Sequence, residues 1–149
     1  MPNIYGSVET LINKLKTIDD FSIDPENPYE RVQWGFIFPD EVGLENFPVC
    51  FVWGGSLDVL EHINLQFNWQ ENLQISIYVM NYNDESQTEG IKKLNELEYK
   101  IVDTIRKSGI AKIPGFKIDR DTTFIKIGGM FNMHPPYFCS RIDLTLTRR

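Results

Sequence analysis

The sequence predicts an α+β fold in a single domain: a mixed, mostly antiparallel sheet with a long β-hairpin, and two main helices packed on one face, in the order α-β-β-β-α-β-β. Three observations carry this. Odd positions from Ile63 to Val79 are apolar apart from Glu71, while even positions from His62 to Ser76 are polar, the period of two that marks half-buried strand. Two other stretches, at residues 8–18 and 91–105, repeat apolar residues at helical spacing instead. A chain of 149 residues also suits one domain, which at that size buries about 70% of its unfolded surface.

In chain order, Val8, Leu11, Ile12, Leu15 and Ile18 form the first helical stripe, with Ser7 placed to cap it and Glu9 near its positive end. A helix is predicted from Ser7 to Thr17. Residues 19–47 hold three prolines and many acids, but also Phe21, Tyr29, Trp34, Phe36, Phe38 and Phe47. Disordered segments lack that much apolar surface, so a structured loop insertion is expected, with a brief strand around Val32 to Phe38 ended by Pro39. Pro48 to Trp53 is a continuous apolar run closed by Gly54-Gly55, predicted as a strand buried on both faces. A link from Ser56 to Leu60 leads to the hairpin, Glu61 to Met80, which is expected to turn at Gln70-Glu71-Asn72. A three-residue loop there sets Trp69 opposite Leu73 and keeps the apolar residues of both arms on one face.

The second helix is marked at both ends. Ser86 and Glu89 form a capping-box pattern, Ile91, Leu94, Leu97, Ile101, Val102 and Ile105 line one stripe, and Gly109 follows Arg106 and Lys107. It is predicted from Gln87 to Lys107. Thr122 to Ile127 reads as strand broken by Gly128-Gly129, and an apolar loop through Pro136 precedes a half-buried strand from Tyr137 to Thr147.

No constellation for catalysis emerges. Gly54-Gly55 and Gly128-Gly129 lack the spacing and following helix of a phosphate loop, and read as turns or bulges. His62 and His134 have no companions at metal-ligand spacing, while Asp19-Asp20 and Asp40-Glu41 offer too few oxygen donors for a cation cage. Asp119-Arg120-Asp121 places two carboxylates beside a guanidinium, but neighbouring positions of an extended chain point to opposite faces, so a solvated loop is expected and not a shared site. No enzyme activity, cofactor or metal is therefore expected. Cys50 and Cys139 read as buried thiols, with no disulfide. The net charge of −6 disfavours a nucleic-acid-binding surface, no apolar run is long enough to cross a membrane, and no secretory leader is legible.

Assembly surfaces are the better candidates. The loop aromatics Trp34, Phe36 and Phe38 can dock on a neighbour or cover the domain's own core. Asn64, Gln66, Asn68 and Gln70 line the even side of the hairpin, where uncharged amides suit hydrogen bonding to another protein surface or to water. Met130, Phe131, Met133 and Tyr137 belong to an apolar loop that either covers its own core or anchors a subunit contact.

With FPVCFVW after the long loop, NLQISIYVM before the second helix and YFCSRIDLTLT near the end, the element order resembles that of the tail terminator (tail completion) proteins of long-tailed bacteriophages. The resemblance implies a homo-oligomeric ring, usually of six copies, that caps the tail tube, stops its polymerisation and joins it to the neck or head connector. The implied partners are further copies of the chain, the tail tube protein and a neck or head-completion protein, with DNA passing the lumen unbound and no membrane contact. The implied location is the virion, after assembly in the bacterial cytoplasm. A different neck, head-completion or minor tail protein of the same particle, or a small-molecule-binding or enzymatic α+β domain, are the competing readings.

Overall fold

The computed structural model describes residues 4–62, 69–107, 124–130 and 135–148, with side-chain surroundings for 8–53, 74–107 and 135–145. Its elements are α1 (Ile4–Leu15), β1 (Val32–Trp34), β2 (Val49–His62), β3 (Trp69–Tyr82), α2 (Gln87–Lys107), β4 (Phe124–Met130) and β5 (Tyr137–Arg148). The strands form one sheet in the order β1-β2-β3-β5-β4. β1 runs parallel to β2 and every other pair is antiparallel. This is the predicted α+β architecture, with both helices on one face.

That face holds the main core. α1 lies over β1 and β2, and α2 lies over β3 and β5. Val8, Leu11 and Leu15 of α1, with Leu94, Leu97 and Ile101 of α2, close on Cys50 and Val52 of β2, Ile75, Ile77 and Val79 of β3, and Phe138, Ile142 and Leu144 of β5. Alternation along each strand supplies these residues, because successive side chains point to opposite faces. The odd residues of β3 thus face the helix side, as their period of two implies, but they bed α2, while α1 rests on β1 and β2.

The opposite face carries a second, smaller cluster: Val49, Phe51, Met80 and Cys139, with Val42 from the excursion. Tyr29, Phe36, Ile37 and Phe47 pack against it. Residues 19–47 therefore start on the helix side, where Phe21 is buried in the main core, and finish over the other face. The insertion covers its own sheet, which resolves one of the two open readings in favour of packing for most of its length. Arg31 ties the middle of the excursion to its C-terminal end, donating from Nη1 to the carbonyls of Asn46 (3.0 Å) and Phe47 (2.8 Å).

Several boundaries differ from the sequence reading. α1 begins at Ile4, so Ser7 lies inside the helix and Glu9 is outside its first turn. A cap contributes only about 1 kcal/mol, too little to fix a boundary against residues that can also turn helically. At the other end the helix tightens, with Ile18 N–H donating to the Leu15 carbonyl at 3.1 Å. β1 stops at Trp34, where Gly35 takes φ +110°, a conformation that side chains rarely adopt.

The hairpin is the largest correction. Gln70-Glu71-Asn72 is not a turn but lies within β3, whose partner β2 runs unbroken through Gly54-Gly55 and the supposed link at residues 56–60. The register passes from Gly54↔Ile75 to Ser56↔Gln74, a bulge that takes up Gly55. An extra residue on one strand reverses its parity. Even residues Cys50 and Val52 are in register with Val79 and Ile77, but beyond the bulge Leu73 meets odd Leu57. The odd alternation of the 61–80 segment is thus one strand plus the end of another, not two arms of its own hairpin. Gly128-Gly129 behaves alike: β4 continues through it to Met130, with a register shift between Gly128 and Met130.

The capping box at α2 is half as predicted. Glu89 N–H donates to Ser86 Oγ at 3.2 Å, but the Ser86 N–H donates to Asn83 Oδ1 at 2.9 Å instead of to Glu89. Both cysteines are buried free thiols. Burial raises the pKa of each, that of Cys139 to about 12, so neither is a nucleophile at neutral pH.

Candidate assembly interface

The excursion covers only part of the helix-free face. It reaches Val49 and Phe51 of β2, yet Trp53, two residues further in the same phase, is 53% exposed. Beside it stands an aromatic shelf. Phe36 meets Tyr78 edge-on at 4.9 Å between centroids and Phe38 at 5.2 Å, and Phe51 lies 6.3 Å away beneath. Phe38, at the top of the shelf, is 61% exposed. Tyr78 is in register with Phe51, and Ser76 with Trp53, so both exposed rings belong to one continuous surface.

A polar row borders the shelf on β3 and β5. Ser76 Oγ donates to Asp143 Oδ1 at 2.9 Å, and Arg141 Nε donates to the same oxygen at 2.8 Å. The Arg141 guanidinium also sits 5.9 Å from the Tyr78 ring centroid. Trp, Tyr and Arg are the residue types that dominate protein-binding hot spots, because each offers a large contact area with a polar handle. Charge on the row is balanced internally, leaving an apolar surface with oriented hydrogen-bonding groups.

The same region ends in open backbone. β1 pairs with β2 only from Cys50 to Val52. From Trp53 to His62, no strand among the described residues pairs with the outer side of β2, and the same holds for the outer side of β4. Unpaired N–H and C=O groups along an edge are a template for another strand.

The sequence-predicted interface residues are not one patch. Trp34 is 42% exposed on the helix side, in a groove of about 640 Å³ shared with Glu9, Ile12 and Lys16 of the α1 side and Tyr29 of the excursion. Phe36 and Phe38 cross to the other face after Gly35. Tyr137 is half-buried in an aromatic trio with Tyr82 (5.5 Å) and Phe47 (6.0 Å) at the foot of the sheet. Gln70 falls on β3, and Met130 is the last residue of β4. Asn64, Gln66, Asn68, Phe131 and Met133 lie outside the described residues. Trp53, Tyr78 and Arg141 were not legible as surface groups. For Trp53 the signal was its phase with Val49 and Phe51, hidden because the whole run reads as buried on both sides.

No cluster of His, Cys, Asp or Glu able to hold a metal occurs among the described residues, and no helix among them is long and apolar enough to cross a membrane. No family model matches this chain, and no curated protein does.

Proposed function

We propose that the chain is a structural subunit that associates with copies of itself into a ring, in the manner of the phage tail terminators whose element order it resembles. Six copies would close the ring. It would cap the tail tube, end its growth and seat the neck or head-completion protein, with DNA passing through the lumen. The observation that supports this best is the outer side of β2 from Trp53 to His62, which no strand among the described residues pairs, beside the exposed Trp53 and Phe38. A sheet edge supplies directional backbone pairing, and an adjoining aromatic shelf supplies apolar burial, which together suit a permanent subunit contact. No chemical step belongs to this role. The protein acts by occupying the tube end, denying the next tube subunit its docking surface while offering a different one.

Tail length tests the proposal. In host cells making the phage's other tail proteins, withholding this chain is expected to leave tubes of uncontrolled length without heads. Supplying it is expected to restore uniform, head-joined tails with the chain at the head-proximal end. Tails of normal length and joining in its absence would refute the role, and labelling elsewhere in the particle would assign it to another neck or minor tail position.

A further inference from the structure

The two sides of the helix layer present unlike surfaces. On one side α1 and β1, an edge strand of the sheet, line the groove of about 640 Å³ in which Trp34 stands 42% exposed. Ile12 and Val32 are its buried floor, and Glu9 and Asn13 are exposed along its α1 wall. On the other side lies α2. Its Lys93 and Lys100 turn toward α1, where both hold Asp20 just beyond the end of that helix. At about 3.6 residues per turn, Asn95, Tyr99 and Arg106 form one stripe roughly a third of a turn or more from those lysines, on the flank facing away from α1. Tyr99 is 70% exposed, the most open large hydrophobic side chain among the described residues. One flank thus carries a knob and the opposite one a hole.

Register sets knob and hole at one level. The Glu98 carboxylate accepts a hydrogen bond from the Ser140 hydroxyl, so its neighbour Tyr99 stands beside that row of the sheet. The row runs from Ser140 through Val79 and Cys50 to Val32, which lines the groove. Two copies side by side in the same orientation, with no slide along the strands, therefore present Tyr99 of one to the groove of the next. We infer that each copy seats Tyr99 in the α1–β1 groove of a second copy, against Trp34. This inference rests on the ring reading and names the side chains by which neighbours meet. An aromatic anchor in a pocket with an apolar floor is the usual form of an interface hot spot. Charge agrees with it: Lys16 holds Glu30 and Lys107 holds Asp103, which leaves Glu9 beside the groove and Arg106 beside the knob exposed, without an ion pair among the described residues. Groove against groove would leave Tyr99 bare, and flank against flank would leave Trp34 bare. Only the one-way contact covers both rings, and a one-way contact repeats around a ring.

Coupling and cross-linking test it on the full chain. Tyr99→Ala and Trp34→Ala are each expected to weaken self-association, read by sedimentation velocity, by at least roughly tenfold. Both side chains are exposed, so folding is expected to be kept, which denaturant unfolding checks. The double variant should lose far less than the product of the two single losses, because either change alone already removes the shared contact. Asn13→Cys and Asn95→Cys place thiols beside the hole and beside the knob, while the native cysteines stay buried. A mixture of these two single variants is expected to give dimers with a short bis-maleimide, and neither variant alone is. Association indifferent to Tyr99→Ala or Trp34→Ala, losses that simply multiply, a mixture without cross-links, or cross-linked dimers from one cysteine variant alone would each overturn the inference. Closed rings on tube ends undiminished by Tyr99→Ala would leave the ring role standing and reject only this contact. An unchanged chain that is monomeric in solution and absent from tube ends would overturn both.

Discussion

Asp20 ties the start of the excursion to α2. Its two carboxylate oxygens accept from Lys93 Nζ at 2.7 Å and Lys100 Nζ at 2.6 Å, and Lys100 is held in turn by Glu96 at 2.9 Å. Burial alone would raise the Asp20 pKa, but the two lysine hydrogen bonds outweigh it and leave the carboxyl below its ordinary 3.8. A lowered folded-state pKa stabilises above the unfolded value and loses that contribution as pH falls through the folded one. The clamp is therefore fully present above about pH 4 and fades below it. Asp20→Asn is expected to cost about 1–2 kcal/mol near neutral pH and to flatten the acid limb of a stability-against-pH curve measured by urea unfolding. An unchanged acid limb would show that the clamp contributes nothing. Gly90 supplies a second residue-level test. A Cβ there would collide with the Phe138 ring, so Gly90→Ala is expected to destabilise by about 1–3 kcal/mol despite alanine's better helix propensity. Adding Phe138→Leu should recover part of that loss in a double-mutant cycle.

Elements were legible to the extent that each has one dominant period and explicit ends. α2 has both, and its predicted limits, Gln87 and Lys107, are those of the structure. Ser86→Ala is expected to cost about 1 kcal/mol through the lost acceptor for the Glu89 N–H, read as a drop in thermal midpoint. The β5 alternation was equally direct, since Phe138, Ile142 and Leu144 face the helices while Cys139 lies beneath the excursion. β2 was not legible. Its phase reverses at Gly55, and a rule of strict alternation can absorb that only by ending the strand, which moved the turn onto Gln70-Glu71-Asn72. Nothing local distinguishes a Gly-Gly bulge from a Gly-Gly stop, because the deciding interaction is register with β3, far along the chain. The interface candidates failed for a related reason. Trp34 and Phe36 are two residues apart, yet Gly35 at φ +110° sends them to opposite sides of the sheet.

Across the whole molecule, the two faces of the sheet divide the work. The helix side is closed by α1 and α2 and sets stability. The other side is covered at one end by the excursion and leaves Phe38 and Trp53 exposed beside a strand edge that no strand among the described residues pairs. Phe38→Ala with Trp53→Ala is therefore expected to change folding stability by no more than about 1 kcal/mol, as exposed positions generally do, while weakening self-association by about tenfold or more. A large loss of stability in that pair, seen by denaturant unfolding, would place the rings in the core instead.

The central claim is that copies of this chain close into a ring on a tail tube. Electron microscopy of tube ends incubated with the purified chain measures it most directly. End-on averages are expected to show a closed ring of copies related by a single repeated rotation, with Phe38→Ala/Trp53→Ala abolishing it. Bare tube ends, or a chain found only as monomers or two-fold dimers, would contradict the claim.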